Sequence, residues 1–185
     1  FSGEIASACI INDQIYFTGR SNTGDMTELM IIKSDLEGII SKSIKLNKYQ
    51  EGNSIIALHD GNIAVGANFL SKTSRQDGSV IKLSPSLDII SQKVVGEFSD
   101  DVLLNITELT SSDILICGYS YSGSKGARRS DLWIEVLDKD LNQQVLDKNY
   151  LGNSQDDVGY TSIELSNNAV WVVGSTYTGL SSGTG

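Results

Sequence analysis

The chain has 185 residues, is 39% hydrophobic and carries a net charge of −9. That length suffices for one domain with its own core, and the acidic balance sets aside nucleic acid, whose phosphates demand a basic face. One Pro and 18 Gly set aside a Pro-rich stalk and a collagen-like chain.

The first apolar run closes at Ile15-Tyr16-Phe17-Thr18-Gly19, after a turn at Asn12-Asp13. A third run, Leu29 to Ile32, leads through a second turn to Leu36, and a more polar run spans Ile39 to Leu46. The pattern then returns. Asp60-Gly61 precedes Ile63-Ala64-Val65-Gly66, Val80 to Leu83 leads to Leu87, and Ile89 to Val95 follows. Ser111-Ser112 precedes Ile114-Leu115-Ile116-Cys117-Gly118, Leu132 to Leu137 leads to Leu141, and Gln143 to Leu151 follows. A last copy holds Asn167-Asn168 and Val170-Trp171-Val172-Val173-Gly174.

The closing glycines lie 47, 52 and 56 residues apart. Each unit therefore predicts four strands, A to D, in about 50 residues, the size of a propeller blade. The A–B turns carry residues that tolerate left-handed backbone, as tight hairpins need. Strands B and C are nearly continuous apolar runs, so both faces of each sheet are covered. Strand D holds Lys42 and Lys45, Gln92 and Lys93, Asp147 and Lys148, which suits an exposed edge. The expected fold is an all-β propeller of three four-stranded antiparallel blades and half of a fourth, part of a larger ring. Residues 1–48, 49–98 and 99–152 form blades 1 to 3, and 153–185 give the first two strands of blade 4. A β-sandwich with accidental similarity is the competing fold.

The units resemble bacterial β-propeller repeats. The resemblance rests on Leu151-Gly152-Asn153-Ser154-Gln155-Asp156-Asp157-Val158-Gly159-Tyr160, then Val172-Val173-Gly174-Ser175-Thr176, with Ser130-Asp131-Leu132-Trp133-Ile134 and Leu137-Asp138. Asp77 aligns with Asp131, and Met26 takes that place in blade 1. The resemblance implies binding or display by a secreted, periplasmic or surface-attached protein, and implies no catalytic residues. The start at Phe1 and the closing Gly/Ser run read as a piece of something longer.

In a propeller the D–A and B–C loops share one face. The B–C segments vary in length and the opposite turns do not, so the B–C face is the expected recognition surface. Asn22, Phe69, Tyr121 and Tyr177 each stand three residues after the strand-B Gly, where an aromatic can stack on a sugar or anchor a protein. The D–A loops add Glu51, Asp100, Asp101, Asp156 and Asp157, which can hold Ca²⁺ or a polyol or bond their own turns.

Other signals are weaker. Asp138, Asp140 and Asn142 open like a calcium loop but lack its Gly and closing Glu. His59 is the single His, so neither a multi-His metal site nor a Ser–His–Asp triad is expected. Gly123-Ser124-Lys125-Gly126 lacks phosphate-loop spacing, and Arg128-Arg129 suits a solvated loop. Asn105-Ile106-Thr107 matches a glycosylation acceptor inside a strand. Cys9 and Cys117 read as buried free thiols. No cofactor, metal or membrane-spanning segment is expected. The expected function is non-catalytic recognition of a glycan or protein partner, with further blades or a partner chain completing the ring. A glycan hydrolase or lyase, or a purely structural segment, are the alternatives.

Overall fold

The computed structural model describes residues 2–24, 26–70, 75–122, 129–152 and 155–177. Its fourteen strands are β1 (Gly3–Ile11), β2 (Gln14–Thr23), β3 (Met26–Asp35), β4 (Ile40–Leu46), β5 (Glu51–Ala57), β6 (Ile63–Leu70) and β7 (Gln76–Leu83), then β8 (Ile89–Val95), β9 (Asp101–Glu108), β10 (Ile114–Ser120), β11 (Asp131–Leu137), β12 (Gln144–Leu151), β13 (Asp157–Glu164) and β14 (Val170–Thr176). They form antiparallel sheets β1-β2-β3-β4, β5-β6-β7-β8 and β9-β10-β11-β12, followed by the hairpin β13-β14.

Each sheet stacks on the one before through its first strand. β5 packs on β1, β2 and β3; β9 on β5, β6 and β7; β13 on β9, β10 and β11. This is a β-propeller arrangement, with strand A innermost. Strand β6 shows why the B runs are apolar throughout. Ile63, Val65, Ala67 and Phe69 enter the core shared with blade 1, while Ala64 enters the core shared with blade 3. The fourth strands β4 and β8 are largely exposed.

Every A strand carries a bulge against its B strand, skipping Ala6, Asn53, Leu104 and Tyr160. The bulge presses a strand-A carbonyl onto the B strand. A Cβ at Gly19, Gly118 or Gly174 would strike the carbonyl oxygen of Glu4, Val102 or Val158. That contact explains the recurring glycine. Gly66 is kept for a different reason: its Cβ would strike Leu103 of the next blade.

A small polar residue directly after each bulge ties the inner strands together. Ile55 N–H donates to Ser7 Oγ at 3.2 Å, Ile106 N–H to Ser54 Oγ at 3.3 Å, and Ser162 N–H to Asn105 Oδ1 at 3.1 Å. At the outer end of the A–B and C–D turns, lysines bridge the blades. Lys33 Nζ donates to Pro85 O at 3.1 Å, and Lys82 Nζ, at the equivalent place, to Lys139 O at 2.9 Å. Lys82 is buried and also pairs with Asp60 at 2.8 Å.

The A–B turns adopt the expected left-handed backbone at Asn12, Asp13, Gly61, Ser112 and Asn168. The C–D turns use it at Gly38, Leu87 and Leu141. Matching hydrogen bonds close them: Gly38 N–H to Asp35 O, Leu87 N–H to Ser84 O, and Leu141 N–H to Asp138 O. Blade 1 is therefore two residues out of step with the alignment through Leu36. Glu28, not Met26, stands where Asp77 and Asp131 stand.

Candidate functional site on the loop face

Four backbone bonds join the D–A and B–C segments at one end of the blades. Asn22 N–H donates to Ser2 O at 2.9 Å, Gln50 N–H to Asn68 O at 2.9 Å, Tyr121 N–H to Asp100 O at 2.9 Å, and Tyr177 N–H to Asp156 O at 3.0 Å. Between their bounding strands, the B–C connections hold two, five and ten residues; the C–D connections hold four, five and six. Variation is thus concentrated on the loop face. Residues 123–126 and Arg128 lie outside the described residues.

The candidate aromatics separate into two kinds. Tyr121 is 36% exposed and meets Tyr119 edge to face, with centroids 6.1 Å apart. Tyr177 is 71% exposed. Phe69 instead is buried in the core between blades 1 and 2, edge-on to Tyr49 at 5.7 Å. Blade 2 is one residue short before its Gly, so a count of three lands on the core-facing side of the strand. Asn22 is exposed, but it lies in β2 opposite Thr27 rather than in a loop.

The acids also divide. Asp100 Oδ1 accepts from Gln76 N–H of the preceding blade at 2.8 Å. Asp156 Oδ1 likewise accepts from Ser130 N–H at 2.9 Å, and its Oδ2 from Arg129 at 3.0 Å. The Ser130 bond, then Arg129, hold Asp156 below the usual carboxylate range. These two acids staple one blade to the next. Asp101 and Asp157 are buried, at 0% and 5% exposed. Asp101 Oδ2 accepts from Glu97 N–H at 2.6 Å and Ser122 Oγ at 3.1 Å, while its Oδ1 has no hydrogen-bond partner. Burial, then the charge of Asp157, push Asp131 above the usual range. Burial, then Tyr121, Asp100 and Glu51, push the Tyr119 phenol up. Tyr119 therefore lies within the field of acids from two D–A loops.

The remaining motifs have structural tasks. Asp138 accepts backbone N–H bonds from Asp140, Asn142 and Gln143, so the calcium-like spacing is a closed turn. Asn105 is taken up by Ser162. His59 is exposed and leans on Glu108 at 3.3 Å. Cys9 and Cys117 are free, and burial pushes both thiols up to about 11. Among the described residues no group of three or more His, Cys, Asp or Glu could hold a metal ion, and no helix is long and apolar enough to cross a membrane.

Sequence reasoning missed one charged group. Glu4 and Arg20 are cross-strand partners in β1 and β2. Arg20 pairs with Glu4 at 2.7 Å and, across the joint, with Glu51 at 3.9 Å. The signal was available: the residue after the strand-B Gly is Ala67, Tyr119 and Ser175 in the other blades.

No family model matches the chain, and no curated protein does. Solved structures are similar in fold. A protein of unknown function from Bacteroides caccae superposes with a TM-score of 0.62 at 13% identity, over 92% of this chain and 53% of its own. MPT-4, a mannose phosphorylase from Leishmania mexicana solved with phosphate ion, gives 0.56 at 11% identity, over 91% and 62%. A hypothetical protein from Leishmania major gives 0.52 at 11% identity over the same shares. These likenesses establish the propeller fold alone. The chain spans about half to three-fifths of the length of these structures.

Proposed function

We propose that this chain is a recognition module that binds a glycan or a protein partner through its loop face, with Tyr121 and Tyr177 as contact residues. The observation that carries the reading is that Tyr121, edge to face with the half-buried Tyr119, and the exposed Tyr177 stand beside D–A loop carboxylates on the face where loop length varies. An aromatic ring offers its face to the apolar side of a sugar, while carboxylates accept hydrogen bonds from its hydroxyls. That combination favours a glycan over a protein.

In its common form, glycoside hydrolysis places two carboxyl groups on either side of the bond it cuts. Beside the tyrosines, Asp101, Asp131 and Asp157 are 0%, 7% and 5% exposed and offer no such pair, which favours the non-catalytic reading of that site. A further blade or a partner chain suits the apolar residues exposed on the outer sheets, Ile5 and Ile10 in β1 and Trp171 and Val173 in β14.

The test is a glycan-array and thermal-shift screen on the protein and on a Tyr121→Ala, Tyr177→Ala variant. A glycan that raises the melting temperature of the protein, but not of the variant, is the expected result. An equal shift in both would remove the tyrosines from the site.

A further inference from the structure

Between blades 1 and 2, at the inner rim of the loop face, lies a cavity of about 200 Å³. Glu4, Arg20, Glu51 and Asn53 line it, together with Ile5, Ala6, Gly19 and Gly52. A Cβ at Gly52 would strike Thr18 and Leu29, so only glycine lets this wall pack on blade 1.

The chemistry of this cavity departs from the repeat. At the corresponding cross-strand pair, one step outside the bulge, blade 2 has Glu51 and Asn68, blade 3 has Val102 and Tyr119, and blade 4 has Val158 and Ser175. Only blade 1 places a carboxylate and a guanidinium there. Packing of the blades does not need the guanidinium, because the other three blades carry Asn68, Tyr119 and Ser175 in its place. Arg20 is held between Glu4 and Glu51, yet its Nε–H is buried and has no hydrogen-bond partner. A buried donor without a partner weakens the fold, and a ligand acceptor would relieve that loss.

We propose that this cavity binds a single small polyhydroxy ligand, a monosaccharide unit or polyol. The two carboxylates and one guanidinium sum to −1, which disfavours a free anion such as phosphate. Acceptors and donors alternate along the wall, Glu4, Arg20, Glu51. Vicinal hydroxyls match that alternation, since each O–H both donates and accepts. A hydroxyl oxygen accepts from Arg20 Nε–H, and its neighbours donate to Glu4 and Glu51. The volume is below that of a pocket for a drug-sized ligand, so one ring is the limit. The lining holds no aromatic side chain, so hydrogen bonds rather than stacking carry the affinity, and binding is weak.

The site stands independently of the tyrosines on blades 3 and 4. It is tested by NMR titration of the protein with D-glucose and with myo-inositol, and with sodium phosphate and calcium chloride as charge controls. The expected result is saturable movement of the Gly19, Arg20, Gly52 and Asn53 amide signals with at least one polyol. Arg20→Ala weakens that binding about tenfold or more, as loss of a charge-assisted hydrogen bond does. Glu4→Gln, at a mostly exposed side chain, weakens it with the fold intact, which guards against an Arg20 variant that misfolds. The Tyr121→Ala, Tyr177→Ala variant keeps it, so the two sites fail separately. No saturable movement with either polyol, binding unchanged by Arg20→Ala and Glu4→Gln, or movement with phosphate or calcium alone would each overturn the assignment.

Discussion

The two ends of the blades are built differently. At the turn end, connections are short and their polar groups are spent on the fold: Lys33 and Lys82 bridge neighbouring blades, and Asp138 closes its own turn. At the loop end, connection length varies and the buried Arg20 Nε and Asp101 Oδ1 have no hydrogen-bond partner. The difference teaches where to look. The turn end has its own exception in Ser91 Oγ, opposite Lys82, but an end whose charged groups are satisfied serves stability, and an end with charged donors and acceptors to spare has chemistry left for a ligand.

Variants can break that contrast, and the largest effect belongs to the layer both ends share. Trp133 is fully buried in the core between blades 2 and 3. Trp133→Ala is expected to cost about 3–5 kcal/mol in chemical denaturation, whereas Trp171→Ala, at a residue 62% exposed, changes stability by about 0.5 kcal/mol or less. Next comes the turn end. Lys82→Ala removes a buried ammonium from Asp60 and from the Lys139 carbonyl, and is expected to cost about 2 kcal/mol. It should leave ligand binding at the loop end unchanged in the same preparation. A Lys82 variant that lost binding without losing stability would erase the distinction.

A smaller effect is expected at Leu87. Its left-handed backbone is strained for a residue with a Cβ, by about 1–2 kcal/mol, but its side chain is buried in the core of blades 1 and 2. Leu87→Gly relieves the strain and loses the burial, worth about 2–5 kcal/mol. The expected net is a loss of about 1–3 kcal/mol by denaturant midpoint, and a stabilised variant would show the side chain to be idle.

The smallest effect is electrostatic and changes sign between the ends. Asp131 has a folded pKa above its unfolded value, so its ionised form weakens the fold. Stability from this group rises as pH falls from above the folded pKa to below the unfolded one. At Asp138 burial pushes up, but backbone N–H bonds from Asn142, Gln143, Asp140 and Leu141 prevail and lower it. Its contribution is present above the ordinary carboxylate pKa and is lost as pH falls through the folded value. Melting temperature against pH should therefore shift in opposite senses in Asp131→Asn and Asp138→Asn.

Much of the fold was legible because it rests on local chemistry. Asn12-Asp13, Gly61, Ser112 and Asn168 announced their turns, and the recurring Gly marked the bulge opposite. What stayed hidden depended on register. Blade 2 lost a residue before Gly66, so equal counting carried Phe69 into the core. Blade 1 turns on Gly38 where the others turn on a strained Leu, so its third strand was misaligned and Glu28 was overlooked. The inner ladder of Ser7, Ser54 and Asn105 looks like ordinary strand sequence until the blades are stacked. Among the candidate residues, Tyr121 and Tyr177 follow from their position after Gly118 and Gly174, and both are exposed. The Arg20 group does not follow, because its partners come from two blades.

The central claim is that ligand chemistry sits at the loop end and structural chemistry at the turn end. Hydrogen exchange, with and without the glycan or polyol that shifts the melting temperature, tests it most directly. Protection is expected at Gly19 to Asn22, Glu51 to Asn53, Tyr119 to Ser122 and Gln155 to Asp157. Protection confined to the turns at Asp60 to Asn62, Ser84 to Asp88 and Asp138 to Gln143 would contradict the account.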